Sequence, residues 1–227
     1  MNNFQICNAD TDSISFAKPD GAFIPLDERK ALVKQINDLS PEFMIWADDG
    51  YYKKVVILKA KNYVLYDPEN TNLKKRLMYK GSAFKDAKKE PALRQFMKDV
   101  ISEILNETYD YLKVYDRYVK EILDVKDMSR WCTKKTYTPA VSTSKRTNET
   151  KVLDAIAGTE YVEGDKFYVF YLEDKSLCLL ENFKGEYDKS KLLKRLYDTI
   201  KIFDNIIDIS VFPNYNLKRN KGLLNLE

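Results

Sequence analysis

The sequence contains no histidine. That absence excludes Ser-His-Asp and Cys-His nucleophile systems and every metal site built on imidazole. Any chemistry must therefore run on carboxylates, lysines, hydroxyls or a bound metal. Cysteine is scarce: Cys7, Cys132 and Cys178 are odd in number, far apart and without C-x-x-C spacing. This argues against a disulfide framework or a zinc site and for a reducing, cytoplasmic setting. Seven glycines and seven prolines leave little material for long linkers. No apolar run approaches the roughly 20 residues of a membrane span, and the opening Met-Asn-Asn has neither the basic nor the apolar region of a signal peptide. No membrane partner is expected. What is present is a 227-residue chain, 44% hydrophobic and 32% charged, the balance of a folded protein with a real core and one or two domains.

The net charge of +3 hides an asymmetry. Residues 1–50 hold four Lys/Arg and nine Asp/Glu, a balance of −5; the remaining 34 and 26 give +8. The strongest local excess falls in residues 59–98, with 11 basic and four acidic side chains. An acidic start followed by a basic body is what a cation site beside a polyanion-binding surface requires, and ordinary solvated helix faces give the same sum.

Periodicity divides the chain in two. FQICNA and SISFAK read as short strands joined by a polar turn. Residues 27–39 carry Leu32, Val33, Ile36 and Leu39 at helical spacing, and Ser40-Pro41 stops that helix. The following FMIWADDGYYKKVVILKAKNYVLYD reads as β-rich, with turn signals at Asp49-Gly50 and Lys61-Asn62. Together these predict an α+β layer, a small antiparallel sheet with one helix. Beyond Lys80-Gly81 the pattern becomes helical. Leu93, Phe96, Met97, Val100, Ile101, Ile104 and Leu105 form one stripe behind Pro91, which suits a first helical turn. A second helix is predicted over 109–123 with Leu112, Tyr115, Val119 and Ile122 inward. Residues 127–147 read as a long polar loop, 149–157 as a short helix and 165–172 as a strand. A last helix starts near Asp188 and runs through Phe203.

Asp10 and Asp12 occupy a D-x-D spacing on the first turn, "NADTDSISF" (residues 8–16). A tight hairpin bearing two carboxylates is a hard-cation site in outline, because Mg²⁺ takes one or two carboxylates, keeps several waters and completes its shell with phosphate oxygens. Taken alone, D-x-D also serves sugar-nucleotide enzymes and plain solvated turns. "WADDG" (residues 46–50) has the shape of a reverse-transcriptase Tyr-x-Asp-Asp turn, although Asp-Gly is also a preferred hairpin turn.

The longer string "ADTDSI" between apolar strands resembles the C motif of family B DNA polymerases, the metal-binding hairpin of the palm, with Asn8 where that motif usually has Tyr. "KAKNYVLYD" resembles the family's K-K-x-Y segment at Lys61 and Tyr63, with Ala60 at the first lysine position. "MYKGSAF" resembles the next element at Lys80 and Gly81, and "YVEGDKFYVFYL" resembles a thumb strand of phage replicative members. The resemblance implies the end of a palm over residues 1–84 and a mainly helical thumb over 85–227. It implies two-metal nucleotidyl transfer with Mg²⁺ and a dNTP substrate. Asp12 would be the principal metal ligand and Asp10 a second, and Lys61, Tyr63, Lys80 and Gly81 would lie along the primer-template duplex. Lys134 and Lys135, with Lys145 and Arg146, are candidate phosphate contacts in the polar loop.

The sequence contains neither the family's A motif, D-x-x-S-L-Y-P-S-like, nor its B motif, K-x₃-N-S-x-Y-G. The resemblance therefore implies a C-terminal polymerase piece, as in a phage-type split subunit, that works with an N-terminal partner chain carrying both motifs. The first strand would join a sheet supplied mostly by that partner. Two other classes remain open at this point: a non-catalytic, thumb-like duplex-binding module with a vestigial hairpin, and a D-x-D nucleotide-sugar enzyme, for which the alternating βαβ pattern is missing.

Overall fold

In the computed structural model, which describes residues 4–10, 12–86, 88–137 and 162–215, two units separate, Met1–Ser82 and Ala83–Glu227. The architecture is mixed α+β, with antiparallel sheets and helical regions. The first unit opens on an antiparallel hairpin of β1 (Gln5–Asp10) and β2 (Ser13–Ala17), with a register shift between Ile6 and Asn8. Helix α1 (Leu26–Leu39) follows, with Asp27 and Glu28 in its first turn, where carboxylates complement the helix dipole. It ends because Pro41 forces Ser40 out of the helical region, to ψ 155°.

Strands β3 (Lys54–Lys59), β4 (Asn62–Tyr66) and β5 (Leu77–Lys80) form a separate three-stranded meander, in that order. Val56, Leu58, Val64 and Leu65 are buried in it. The expected single palm sheet is therefore two sheets.

The β-rich reading of residues 43–53 is corrected. Pro41–Tyr51 forms a strap that runs back along α1 without pairing in a ladder. Asn37 clamps Trp46 from both sides, its Nδ2 donating to the Trp46 carbonyl (2.9 Å) and its Oδ1 accepting from the Trp46 N–H (2.7 Å). The Trp46 indole donates to Ser40 Oγ (3.0 Å), whose hydroxyl donates to the Ile36 carbonyl (2.8 Å). Farther along, Asp48 pairs with Arg29 (3.3 Å), and Tyr51 meets Phe23 edge-on at 4.8 Å. Side chains of the helix thus satisfy backbone groups that a neighbouring strand would otherwise take. Asp49-Gly50 is part of this strap and not a hairpin turn, which removes the structural context of the reverse-transcriptase reading.

A single turn, α2 (Ser82–Lys85), spans the boundary between the units in sequence; the second unit goes on with α3 (Pro91–Asn106), α4 (Tyr111–Leu123) and α5 (Lys189–Ile200), and these three long helices pack on one another. The α3 stripe is buried as its spacing predicts, except that Ile104 is half-buried and Ala92 joins the core. In α4 the buried face is Val114, Tyr115, Tyr118, Val119 and Ile122, while Leu112 is exposed. Leu112 lies on the flank of that face, and the ring of Tyr118 packs edge-on against Phe96 and Trp131. Asp188 caps α5 by accepting from the Lys191 N–H (2.8 Å). The helix stops at Ile200, and Lys201–Phe203 continue as a 3₁₀ turn.

The polar-loop reading of 127–147 is also corrected. It contains a 3₁₀ turn (Met128–Arg130) and strand β6 (Thr133–Thr136), which pairs with the central β7 (Lys166–Tyr171); β8 (Leu177–Leu179) lies on the other side. An edge strand of Thr and Lys reads as loop in sequence because edges keep charge and little hydrophobicity. The helix expected at 149–157 lies outside the described residues. Among the described residues no helix is long and apolar enough to cross a membrane.

Glu90, immediately before Pro91, is 2% exposed. Its Oε2 lies 2.8 Å from Arg195 Nη2, but the pair is misaligned for a hydrogen bond, so among the described residues that oxygen has no donor. Burial raises the Glu90 carboxyl above its ordinary value, against the opposing pull of Arg195, the backbone N–H, Lys89 and Lys191. The folded state therefore holds this proton more tightly than the unfolded chain does. The stability so gained is present below the unfolded value and is lost as pH rises through the folded one. Glu90→Gln removes that loss. Thermal denaturation at a series of pH values rising from below the ordinary carboxylate range should show the Gln variant gaining on wild type as pH rises, and a difference that does not change with pH would overturn the reading.

Candidate functional site

The D-T-D turn folds into a short hairpin tip because two alternating apolar runs meet across it. Asp10 pairs with Ser13 in the ladder, which leaves two residues to join the strands, the shortest common hairpin connection. Asp12, in the turn, is exposed. The hairpin is thinly supported, with Ile6 64% exposed and no described residue of β1 or β2 fully buried. Thr11 lies outside the described residues.

Four of the sequence-selected residues converge in a second place. The β3–β4 register brings Lys59 opposite Asn62, so Ala60 and Lys61 form the turn, with Lys61 at φ 62°. Tyr63 pairs with Lys80 across β4 and β5, which carries Gly81 over the same turn. A β-carbon on Gly81 would stand 2.1 Å from the Lys61 carbonyl oxygen and 2.5 Å from Asn62 Oδ1, and Gly81 itself has φ +98°. No residue but glycine fits there. At this end of the sheet Lys61 is exposed, Lys80 is half-buried and Tyr63 is 9% exposed. Lysine charge therefore faces solvent beside a tyrosine ring that belongs to the core.

Gly81→Ala is accordingly expected to cost about 2–4 kcal/mol, because a left-handed backbone and a backbone clash act together. Gly21→Ala, at φ +71° with nothing within 4 Å of the new carbon, carries only the backbone term, about 1–2 kcal/mol. Urea unfolding of both variants checks the ranking, and equal midpoints would remove the close-approach argument.

Lys134 and Lys135 are consecutive residues of β6. Lys134 pairs with Tyr168, which is 39% exposed, and Lys135 with Phe167, which is buried. Alternation places the two lysines on opposite faces of the sheet, so one flat ligand surface meets at most one of them. Lys145 and Arg146 lie outside the described residues.

Among the described residues no three Asp, Glu, Cys or His are grouped to hold a metal ion. The donors this chain brings to the hairpin are the carboxylates of Asp10 and Asp12, which suit part of a hard-cation shell and do not by themselves fit a two-metal centre.

Sequence reasoning missed the Glu90–Arg195 pair. It borders a cavity of about 10 Å³ lined also by Trp131, Phe170, Tyr187 and Lys191, too small for any substrate. Lys191 Nζ lies 2.9 Å from the centre of the Tyr171 ring, and burial lowers the Lys191 ammonium from its ordinary value, with Arg195 and Lys175 acting in the same direction. The sequence signal was an acidic residue directly before a helix-starting proline. The Cys132 thiol is buried and pushed up to about 11 by that burial, which leaves it a poor nucleophile at neutral pH. No family model matches the chain, and no curated protein matches it in sequence.

Proposed function

We propose that this chain is the C-terminal palm-and-thumb part of a family B-like DNA polymerase, active in nucleotidyl transfer when joined by a polypeptide that carries the A and B motifs. The observation that carries this reading is the D-T-D tip, with Asp10 closing the ladder and Asp12 exposed on a two-residue turn open to a large substrate. The Lys61–Tyr63 and Lys80–Gly81 elements, separate in sequence, meet at one sheet end, and this supports reading them as one duplex-facing element.

In this reading the hairpin presents carboxylate oxygens to a Mg²⁺ centre whose remaining donors come from the second polypeptide. Lys61 supplies sequence-independent phosphate attraction. Tyr63 is buried and pairs with Lys80 in the ladder, so it belongs to the sheet core beside Lys61 and not to the surface that faces the duplex. The two-stranded β1–β2 sheet has outer edges to which strands of the second polypeptide can add.

The test is primer extension with this chain mixed with a polypeptide containing an A-motif aspartate and an N-S-x-Y-G helix. The expected result is Mg²⁺-dependent extension by the mixture and none by this chain alone. Salt-dependent duplex binding by the isolated chain, with no extension by the mixture, would instead favour the non-catalytic duplex-binding module.

A further inference from the structure

The β6–β7 register separates the two adjacent lysines of β6 by face. Lys134 stands opposite Tyr168 and Thr136 opposite Lys166, whereas Lys135 stands opposite Phe167. Side chains alternate along a strand, so Lys134, Thr136, Lys166 and Tyr168 share one face of the sheet, and Lys135, Phe167 and Val169 share the other. The second face is closed: Phe167 and Val169 are buried and pack with Tyr137, Leu177 and Leu179. The first is open at this end. Lys166 and Tyr168 are exposed. Cover begins only at Phe170, two residues farther along the same face, which is buried with its ring edge-on to that of Phe183 at 5.4 Å.

The chemistry of the open part is one-sided. Its four residues bring two ammonium groups and no carboxylate, and among the described residues neither Lys134 nor Lys166 makes an ion pair. Lys166 Nζ donates instead to Thr136 Oγ1 (2.7 Å), which holds it beside the strand pair. Of the carboxylates just before β7, Asp165 is turned back onto the Val162 N–H (2.8 Å), and Glu163 lies beyond the end of the ladder. Lysine on an edge strand has a second explanation, since it discourages pairing with another chain. That accounts for β6 but not for Lys166, because β7 is the central strand. On that central strand Tyr168, directly across from Lys134, adds an exposed ring among the cations. Proteins that hold single strands without reading sequence combine these two elements, cations that track phosphates and a ring on which an unpaired base stacks. A duplex offers the phosphates but keeps its bases stacked inside, so it would leave the ring unused.

We infer that the open end of this face is a contact for single-stranded nucleic acid, with an unpaired base on the Tyr168 ring and backbone phosphates on Lys134 and Lys166. Lys135, on the closed face, takes no part. The inference goes beyond the polymerase reading, which gives this unit a duplex to grip, and it stands or falls without that reading.

The experiment is fluorescence anisotropy of the full chain with a labelled thymidine oligonucleotide of about 16 nucleotides, and with a duplex of the same length, across a salt series. Tyr168→Phe, Tyr168→Thr, Lys134→Ala, Lys166→Ala and Lys135→Ala are compared, and the melting temperature of each is read alongside. Tyr168→Thr removes the ring and keeps strand propensity. The expected result is single-strand binding that weakens at least about fivefold in Tyr168→Thr and is kept in Tyr168→Phe. Lys134→Ala and Lys166→Ala should each flatten the dependence of log Kd on log salt by about 0.7, and Lys135→Ala should leave it unchanged. Should Tyr168→Thr not fold, the contrast between Lys134→Ala and Lys135→Ala decides alone. An unchanged Kd for a folded Tyr168→Thr, equal slopes for Lys134→Ala and Lys135→Ala, or the same Tyr168→Thr loss on the duplex overturns the inference. Absence of wild-type binding to the single strand overturns it too, and leaves the polymerase reading to primer extension.

Discussion

Asp12→Ala in the two-polypeptide mixture should lower primer extension by about three orders of magnitude or more, equivalent to about 4 kcal/mol of lost transition-state stabilisation. The expectation is this large because the chain brings only Asp10 and Asp12 to the hairpin, so losing one halves its donor set. The same substitution should leave the fold alone. Asp12 is exposed in the hairpin turn, and surface changes of this kind stay within about 0.5 kcal/mol. In the proposed reading duplex affinity should likewise hold, since it assigns the phosphate attraction to the lysines and not to Asp12. Three measurements on one variant therefore separate the possibilities: rate of single-nucleotide incorporation, melting temperature, and duplex Kd at fixed salt. Asp12→Asn should be nearly as inactive, because it keeps shape and loses charge. A mixture that extends primers at the wild-type rate with Asp12→Ala would sink the polymerase assignment, whatever its duplex affinity.

The hairpin was legible in the sequence because two apolar runs flank a polar turn at fixed distance, and pairing register follows from that spacing. Helix α3 was legible for a similar reason, its apolar stripe repeating at helical spacing behind a proline. The strap was not. Phe43 and Ile45 alternate like strand residues, but Asn37, Ser40 and Trp46 supply hydrogen bonds between side chains and backbone that no periodicity encodes. Strand β6 failed differently: TKKT carries no hydrophobic alternation, and its identity as a strand rests on the Phe167 and Val169 partners some 30 residues away. That pairing also changes the chemistry, since it turns two adjacent lysines into residues of opposite faces. At the candidate site, the pairing of Lys61–Tyr63 with Lys80–Gly81 depends on β4–β5 register, which sequence suggests only through the order of the two elements.

Phe96→Ala is the stability change with the largest expected effect, about 3–5 kcal/mol. Phe96 is 0% exposed on α3, with its ring 5.1 Å from that of Tyr118 and 6.2 Å from that of Tyr115, both edge-on. Truncation therefore opens a cavity and removes two aromatic contacts at once, each worth roughly 0.5–1.5 kcal/mol beyond burial. Relaxation is limited because both tyrosines are tied by their hydroxyls, Tyr115 donating to the Pro213 carbonyl (3.0 Å) and Tyr118 to Asp99 Oδ2 (2.8 Å). Neither ring can swing into the space without giving up its hydrogen bond, which costs a further 1 kcal/mol or so. Phe96→Leu fills most of the volume and should cost less, about 1–1.5 kcal/mol. Against a total of roughly 5–15 kcal/mol for a folded domain, the alanine change should bring the second unit close to unfolding at physiological temperature, whereas the leucine change should not. Urea denaturation followed by tyrosine and tryptophan fluorescence reads both. Equal midpoints for the two variants would mean that the Tyr115–Phe96–Tyr118 cluster collapses freely, and that the hydroxyl ties do not hold it open.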